Sequence, residues 1–187
     1  MLLVLLALCS PAYSQEEEPK TEPAKPESPK PAAPAPGKLE IQVIETHKDW
    51  NIREEKFGEH VRRYLHQVGK DSSGRPAAEL RVTLPPKGEN VSAAFIAITP
   101  LQTHLPSGLR FKVDRGRART HSYTYAMREG TFVISGFSLT ELQELKRGAK
   151  LSMTYVLISK PDQPIEVEFS LAGFTAAFKG LEAKKSP

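Results

Sequence analysis

An antiparallel β-sandwich is the fold this sequence predicts, and three observations carry it. Apolar and polar residues alternate with period two in several short runs. Clusters of Gly, Pro, Asp and Ser separate those runs. A single segment carries strong helix punctuation, so the predicted class is mostly β with one short helix over about 138–147.

The chain opens "MLLVLLALCSPAYSQEEE". An apolar run from Leu2 to Leu8 leads into Ala12-Tyr13-Ser14, the small-x-small pattern of signal peptidase sites. This predicts an N-terminal signal peptide over residues 1–14 and an exported protein, periplasmic or associated with the outer envelope. The run is far short of the roughly 20 apolar residues that cross a bilayer, so no transmembrane span is expected. No Lys or Arg precedes it, and a buried N-terminal helix is the alternative. Cys9 is the only cysteine, so a cleaved chain has none for a disulfide or a thiolate site. Bulky Leu8 makes Cys9 a poor lipidation site, and its lipidation is left open.

Residues 15–37 hold seven prolines and no bulky apolar side chain. Such a segment buries too little surface to offset its ordering entropy and reads as a Pro/Lys/Glu-rich disordered tether. Extended, it would reach ~70 Å at polyproline rise. Residues 38–187 then form one domain. They carry 23 Lys and Arg against 17 Asp and Glu, a mild basic excess that suits anionic envelope surfaces without naming a partner.

Within that domain, "AELRVTL" places Ala78, Leu80, Val82 and Leu84 on one face. "LRFKV" alternates Leu109, Phe111 and Val113 with Arg110 and Lys112, and "IEVEFSL" does the same for Ile165, Val167, Phe169 and Leu171. Runs at 91–98 and 151–158 are apolar on both faces, as central strands are. The helix lies in "SLTELQELKRG", where Ser138 and Glu141 form a capping box and Gly148 follows Lys146 and Arg147. Residues 174–181 fit helix and strand equally well. Trp50, Phe174 and Phe178 are expected core anchors.

Four segments in order, "KDWNI", "TPLQTHLPSGLRFKVD", "SLTELQELKRGAKLSMTYV" and "FSLAGFTAAFKGL", resemble the invasion-associated locus B family of exported bacterial proteins. The resemblance spans roughly residues 47–182 and implies an immunoglobulin-like β-sandwich in the envelope. The family has no settled chemical activity, and host-cell interaction or invasion enters only through its name. Members commonly carry four cysteines, and the matching positions here are Glu54, Arg63, Tyr125 and Thr131. If the first two are bridged in relatives, the resemblance implies that Glu54 and Arg63 face each other closely enough for an ion pair.

The first candidate site is the stripe Arg115, Arg117 and Arg119 in "FKVDRGRARTH", flanked by Arg110 and Lys112. With 109–113 and 117–125 as hairpin arms, the three arginines project on one side. Arginine forks suit lipopolysaccharide phosphates, peptidoglycan carboxylates or an acidic protein. The bland alternative is a solvated strand face set against Glu166 and Glu168. "VRRYLHQ" mixes basic and aromatic residues, but a mildly basic exported chain is not expected to bind nucleic acid, and the segment reads as a strand with Tyr64 part-buried.

Among His47, His60, His66, His104 and His121 no metal spacing is found, and no cofactor motif or nucleophile motif is present. The expected function is therefore non-catalytic binding of another envelope component, protein or polyanion. The alternative is a periplasmic hydrolase built from loop residues such as His104 and His121. The oligomeric state and the membrane face are left open.

Overall fold

The structure is a computed structural model that describes residues 38–85, 88 and 90–184. The expected signal peptide, Cys9 and the tether lie outside the described residues. Eleven strands form one antiparallel sheet: β1 (Leu39–His47), β2 (Trp50–Phe57), β3 (His60–Asp71), β4 (Pro76–Thr83), β5 (Ala93–Thr99), β6 (Leu109–Val113), β7 (Arg119–His121), β8 (Tyr125–Met127), β9 (Gly130–Phe137), β10 (Lys150–Leu157) and β11 (Lys160–Ser170). The main path runs β7-β6-β10-β11-β3-β4-β5-β9-β8, with β2 also on β3 and β1 on β2. This is the mostly antiparallel architecture expected, and it is consistent with a β-sandwich.

The sheet folds back on itself around apolar residues from distant parts of that path. Phe95 of β5 and Phe111 of β6 meet with ring centroids 5.0 Å apart, and Phe95 stacks on Phe137 of β9 at 4.4 Å. Leu80, Val82, Met153, Val167 and Phe169 fill the space between. Their strands alternate because each side packs on a different environment.

Strand β3 is long enough to serve two partners along one edge. Residues 60–66 pair with β2, and Lys70 and Asp71 pair with Glu168 and Val167 of β11, while β4 holds the other edge. Gly69 makes the passage possible, since a Cβ there would stand 2.5 Å from Val167 Cγ1 and 2.6 Å from the Phe169 ring. In the interval between β2 and β11, the Gln67 amide donates to the carbonyls of Asp49 and Ser170 at 2.9 and 3.1 Å.

The helix α1 (Leu139–Arg147) has the full capping box, with Ser138 Oγ accepting from the Glu141 amide and the Glu141 carboxylate accepting from the Ser138 amide. The segment left open between helix and strand is settled. Residues 174–181 fall in a second helix, α2 (Phe174–Ala183), which buries Phe174, Ala177, Phe178 and Leu181. Gly173 starts it at φ +89°, where a Cβ would collide with the His47 carbonyl oxygen at 2.1 Å. Trp50 is fully buried, edge-on to Phe174 at 5.0 Å, and its indole N–H donates to the Ser170 carbonyl at 2.9 Å.

Candidate functional site

The expected hairpin forms, but its second arm is shorter than 117–125. Pairing runs Leu109 to His121, Arg110 to Thr120 and Phe111 to Arg119, and a separate strand, β8, begins at Tyr125. This register corrects the expectation that Arg115, Arg117 and Arg119 project together. Arg119 lies opposite Phe111, whose side chain is buried in the core, so it shares the inner face. There its guanidinium holds both Glu144 oxygens at 2.7 and 3.0 Å and the Glu141 carboxylate at 3.1 Å. Hydrogen bonding to Glu144 raises the Arg119 pKa further and lowers that of Glu144. Arg119 is a clasp between β7 and α1.

The other four candidates stay on the outside. Arg110 and Lys112 occupy the outer face of β6, while Arg115 sits in the turn and Arg117 just after it; all are exposed. Among the described residues none of the four side chains makes a hydrogen bond or ion pair. The acidic stripe expected to neutralise them is a strand away: Thr154 and Ser152 of β10 separate Arg110 and Lys112 from Glu166 and Glu168. Glu168 already pairs with Lys150.

The turn that carries Arg115 is held firmly. Asp114 adopts φ +46°, a region that Asp enters more readily than most residues. Its carboxylate accepts from the backbone amides of Ala149 at 3.0 Å and Lys150 at 3.0 Å, bonds that lower its pKa. Its own amide donates to the Lys150 carbonyl at 3.0 Å, and the Gly116 amide to the Val113 carbonyl at 2.8 Å. Beside it a dent of about 340 Å³ is bordered by Gly116, Gln143 and Arg147. Arg147 thus borders the candidate site, which the sequence does not signal, because there it is only a cation in the last turn of a helix.

A second depression was also missed. A groove of about 640 Å³ is lined by Arg62, Tyr64, Arg81, Ile96, Tyr125 and Phe132 among others. Tyr64 is 6% exposed, more buried than expected, and the Arg81 guanidinium lies over its ring at 5.4 Å. The signal was present in the alternation of β3 and β4, but only the sheet register brings the two arginines to one face.

The two histidines of the hydrolase alternative lie on separate elements. His104 precedes a 3-10 turn (Leu105–Ser107), and its Nδ1 is 2.7 Å from Ser107 Oγ. His121 packs on Phe95 and Phe111, with Nδ1 3.2 Å from Ser135 Oγ, and burial lowers its pKa. Among the described residues neither histidine forms an ion pair with a carboxylate, and no group of three or more His, Cys, Asp or Glu is placed to hold a metal ion. No helix there is long and apolar enough to cross a membrane.

These features agree with what known proteins show. The crystal structure of invasion associated protein b from Bartonella henselae superposes with a TM-score of 0.59 at 19% identity, over 76% of this chain and 97% of that one, which supports the same fold. No curated protein sequence matches the chain. Residues 52–182, from β2 through nearly all of α2, match the family described as "Invasion associated locus B (IalB) protein", and with most of the folded part inside that match the chain belongs to the invasion-associated locus B family.

Proposed function

We propose that this protein is a non-catalytic binding module of the bacterial envelope that takes a polyanion through Arg110, Lys112, Arg115 and Arg117, with Arg147 at the border. One observation carries the reading: these cations have no partner among the described residues, on a turn fixed by Asp114, while the neighbouring Arg119 is fully engaged. A fixed turn keeps the ordering cost of binding low. Arginine forks match phosphate and carboxylate oxygens. Family members are exported, envelope-associated proteins. In that setting residues 1–14 would direct export and residues 15–37 would tether the domain. Lipopolysaccharide and peptidoglycan are the polyanions within reach.

Co-sedimentation with purified sacculi and with lipopolysaccharide, over a salt series, tests this. The wild type should be retained, and retention should weaken with salt as exposed charges are screened. Arg115→Ser/Arg117→Ser should lose most of the retention, whereas Arg119→Ser should keep it with a lower Tm. Equal behaviour of the wild type and the double variant would overturn the assignment.

A further inference from the structure

Where β2 and β11 part along β3, the sheet leaves a polar cleft of about 650 Å³. Among its lining residues are Asp49, Arg53, His66, Gln67 and Lys70. Two other carboxylates there are committed: Asp71 binds Arg75 at 3.2 Å and Glu168 binds Lys150. Among the described residues the Arg53 guanidinium, the Lys70 ammonium and the Asp49 carboxylate have no ionic partner. The open charges of the cleft are therefore two cations and one anion.

Its buried polar atoms show the same lack of partners. His66 is 3% exposed and Gln67 is 7% exposed, yet among the described residues His66 Nδ1, Gln67 Oε1 and Arg53 Nε have no hydrogen-bond partner. The Gln67 amide nitrogen is spent on the Asp49 and Ser170 carbonyls, which leaves its oxygen as an acceptor. His66 Nε2 lies 3.1 Å from Glu79 Oε1. Glu79 is held ionised: burial pushes its carboxyl up, but hydrogen bonds from His66 and Arg81 outweigh this and hold it at about 2. Buried polar groups in folded proteins are nearly always satisfied, and an orphan acceptor, Gln67 Oε1, with an orphan donor, Arg53 Nε, in one polar cleft marks a place for an added molecule.

We infer that this cleft binds a small amino dicarboxylate, a solute with one ammonium and two carboxylates. Its carboxylates answer Arg53 and Lys70, and its ammonium answers Asp49 and Gln67 Oε1. The site is separate from the basic hairpin, so either can fail without the other.

Glutamate, as each enantiomer, is the probe, followed by ¹H–¹⁵N NMR and calorimetry on the folded protein. Glutarate lacks the ammonium and glutamine lacks the second carboxylate. The expected result is saturable shifts at Asn51, Gln67 and Lys70, with glutarate and glutamine at least tenfold weaker. Asp49→Asn and Arg53→Gln should each weaken glutamate at least tenfold without changing the fold seen by NMR. Absence of saturable shifts, shifts of equal affinity with glutarate, or unchanged binding by Arg53→Gln overturns the inference and leaves the cleft to ordered water.

Discussion

Arg63 Nε lies 2.7 Å from Glu54 Oε2, and the two residues face each other in register across β2 and β3. The resemblance to the family implies cysteines at these two positions in relatives, and here an ion pair joins them. Glu54 is 6% exposed, and its carboxylate also takes Lys56 Nζ and Gln42 Nε2, each at 3.0 Å. The cluster is more than the single ion pair that the resemblance implied.

Glu54→Ala should therefore cost about 1–3 kcal/mol, because it strips three donors of their shared acceptor. Arg63→Ala should cost less, since Lys56 and Gln42 still serve the carboxylate. The double change Glu54→Cys/Arg63→Cys should form a bridge whose oxidised form melts above its reduced form, by an amount on the order of 2–3 kcal/mol for so short a loop. The wild-type Tm should not move with dithiothreitol. Denaturation of the three variants with and without reductant checks all of this.

Three carboxylates set the response to acid. The bonds from Lys56 and Arg63 hold Glu54 at about 2, the Ser73 hydroxyl and the Arg75 amide hold Asp71 at about 2, and Glu79 stands at about 2 despite burial. Folded-state values below the unfolded ones mean that their stabilisation is fully present above the ordinary carboxylate range and is lost as pH falls toward 2. Urea midpoints should be flat from neutral pH to about 5 and then fall steeply. Glu54→Gln/Glu79→Gln should flatten that descent.

Local signals were legible and long-range ones were not. The helix α1 shows in the sequence because Ser138 and Glu141 cap it within one turn, and β6 shows because Leu109, Phe111 and Val113 alternate cleanly. Strand β2 hides because a charged residue, Glu54, occupies the buried position after Trp50 and Ile52. Strand β1 hides because Leu39, Ile41 and Val43 are exposed with their polar neighbours. The face of Arg119 depends on the hairpin register, and the polar cleft depends on two strands more than 100 residues apart meeting one edge of β3. No local pattern encodes either.

The close approach of β3 to its neighbour β11 gives a sharper stability test. Gly69→Ala places a methyl group 2.5–2.6 Å from Val167 and Phe169, inside van der Waals contact. Overpacking of this kind costs about 1–3 kcal/mol. Gly74→Ala, in the open turn after β3, meets no atom within 4 Å but sits at φ +79°, so its penalty is conformational. Chemical denaturation should show a loss for both. Only Gly69→Ala should shift the NMR signals of Val167 and Phe169.

Asp114 separates two accounts of anion binding. Simple charge accounting says that Asp114→Ala makes the hairpin more positive and should strengthen its hold on a polyanion. The structure says the reverse, because the carboxylate fixes the Arg115 turn through the Ala149 and Lys150 amides. Without it Arg115 and Arg117 must be ordered on binding, and each immobilised side chain costs about 0.5–1.5 kcal/mol. Asp114→Ala should therefore bind sacculi or lipopolysaccharide more weakly than wild type at every salt concentration, with the same dependence on salt. Tighter binding would make net charge, not the fixed turn, the determinant.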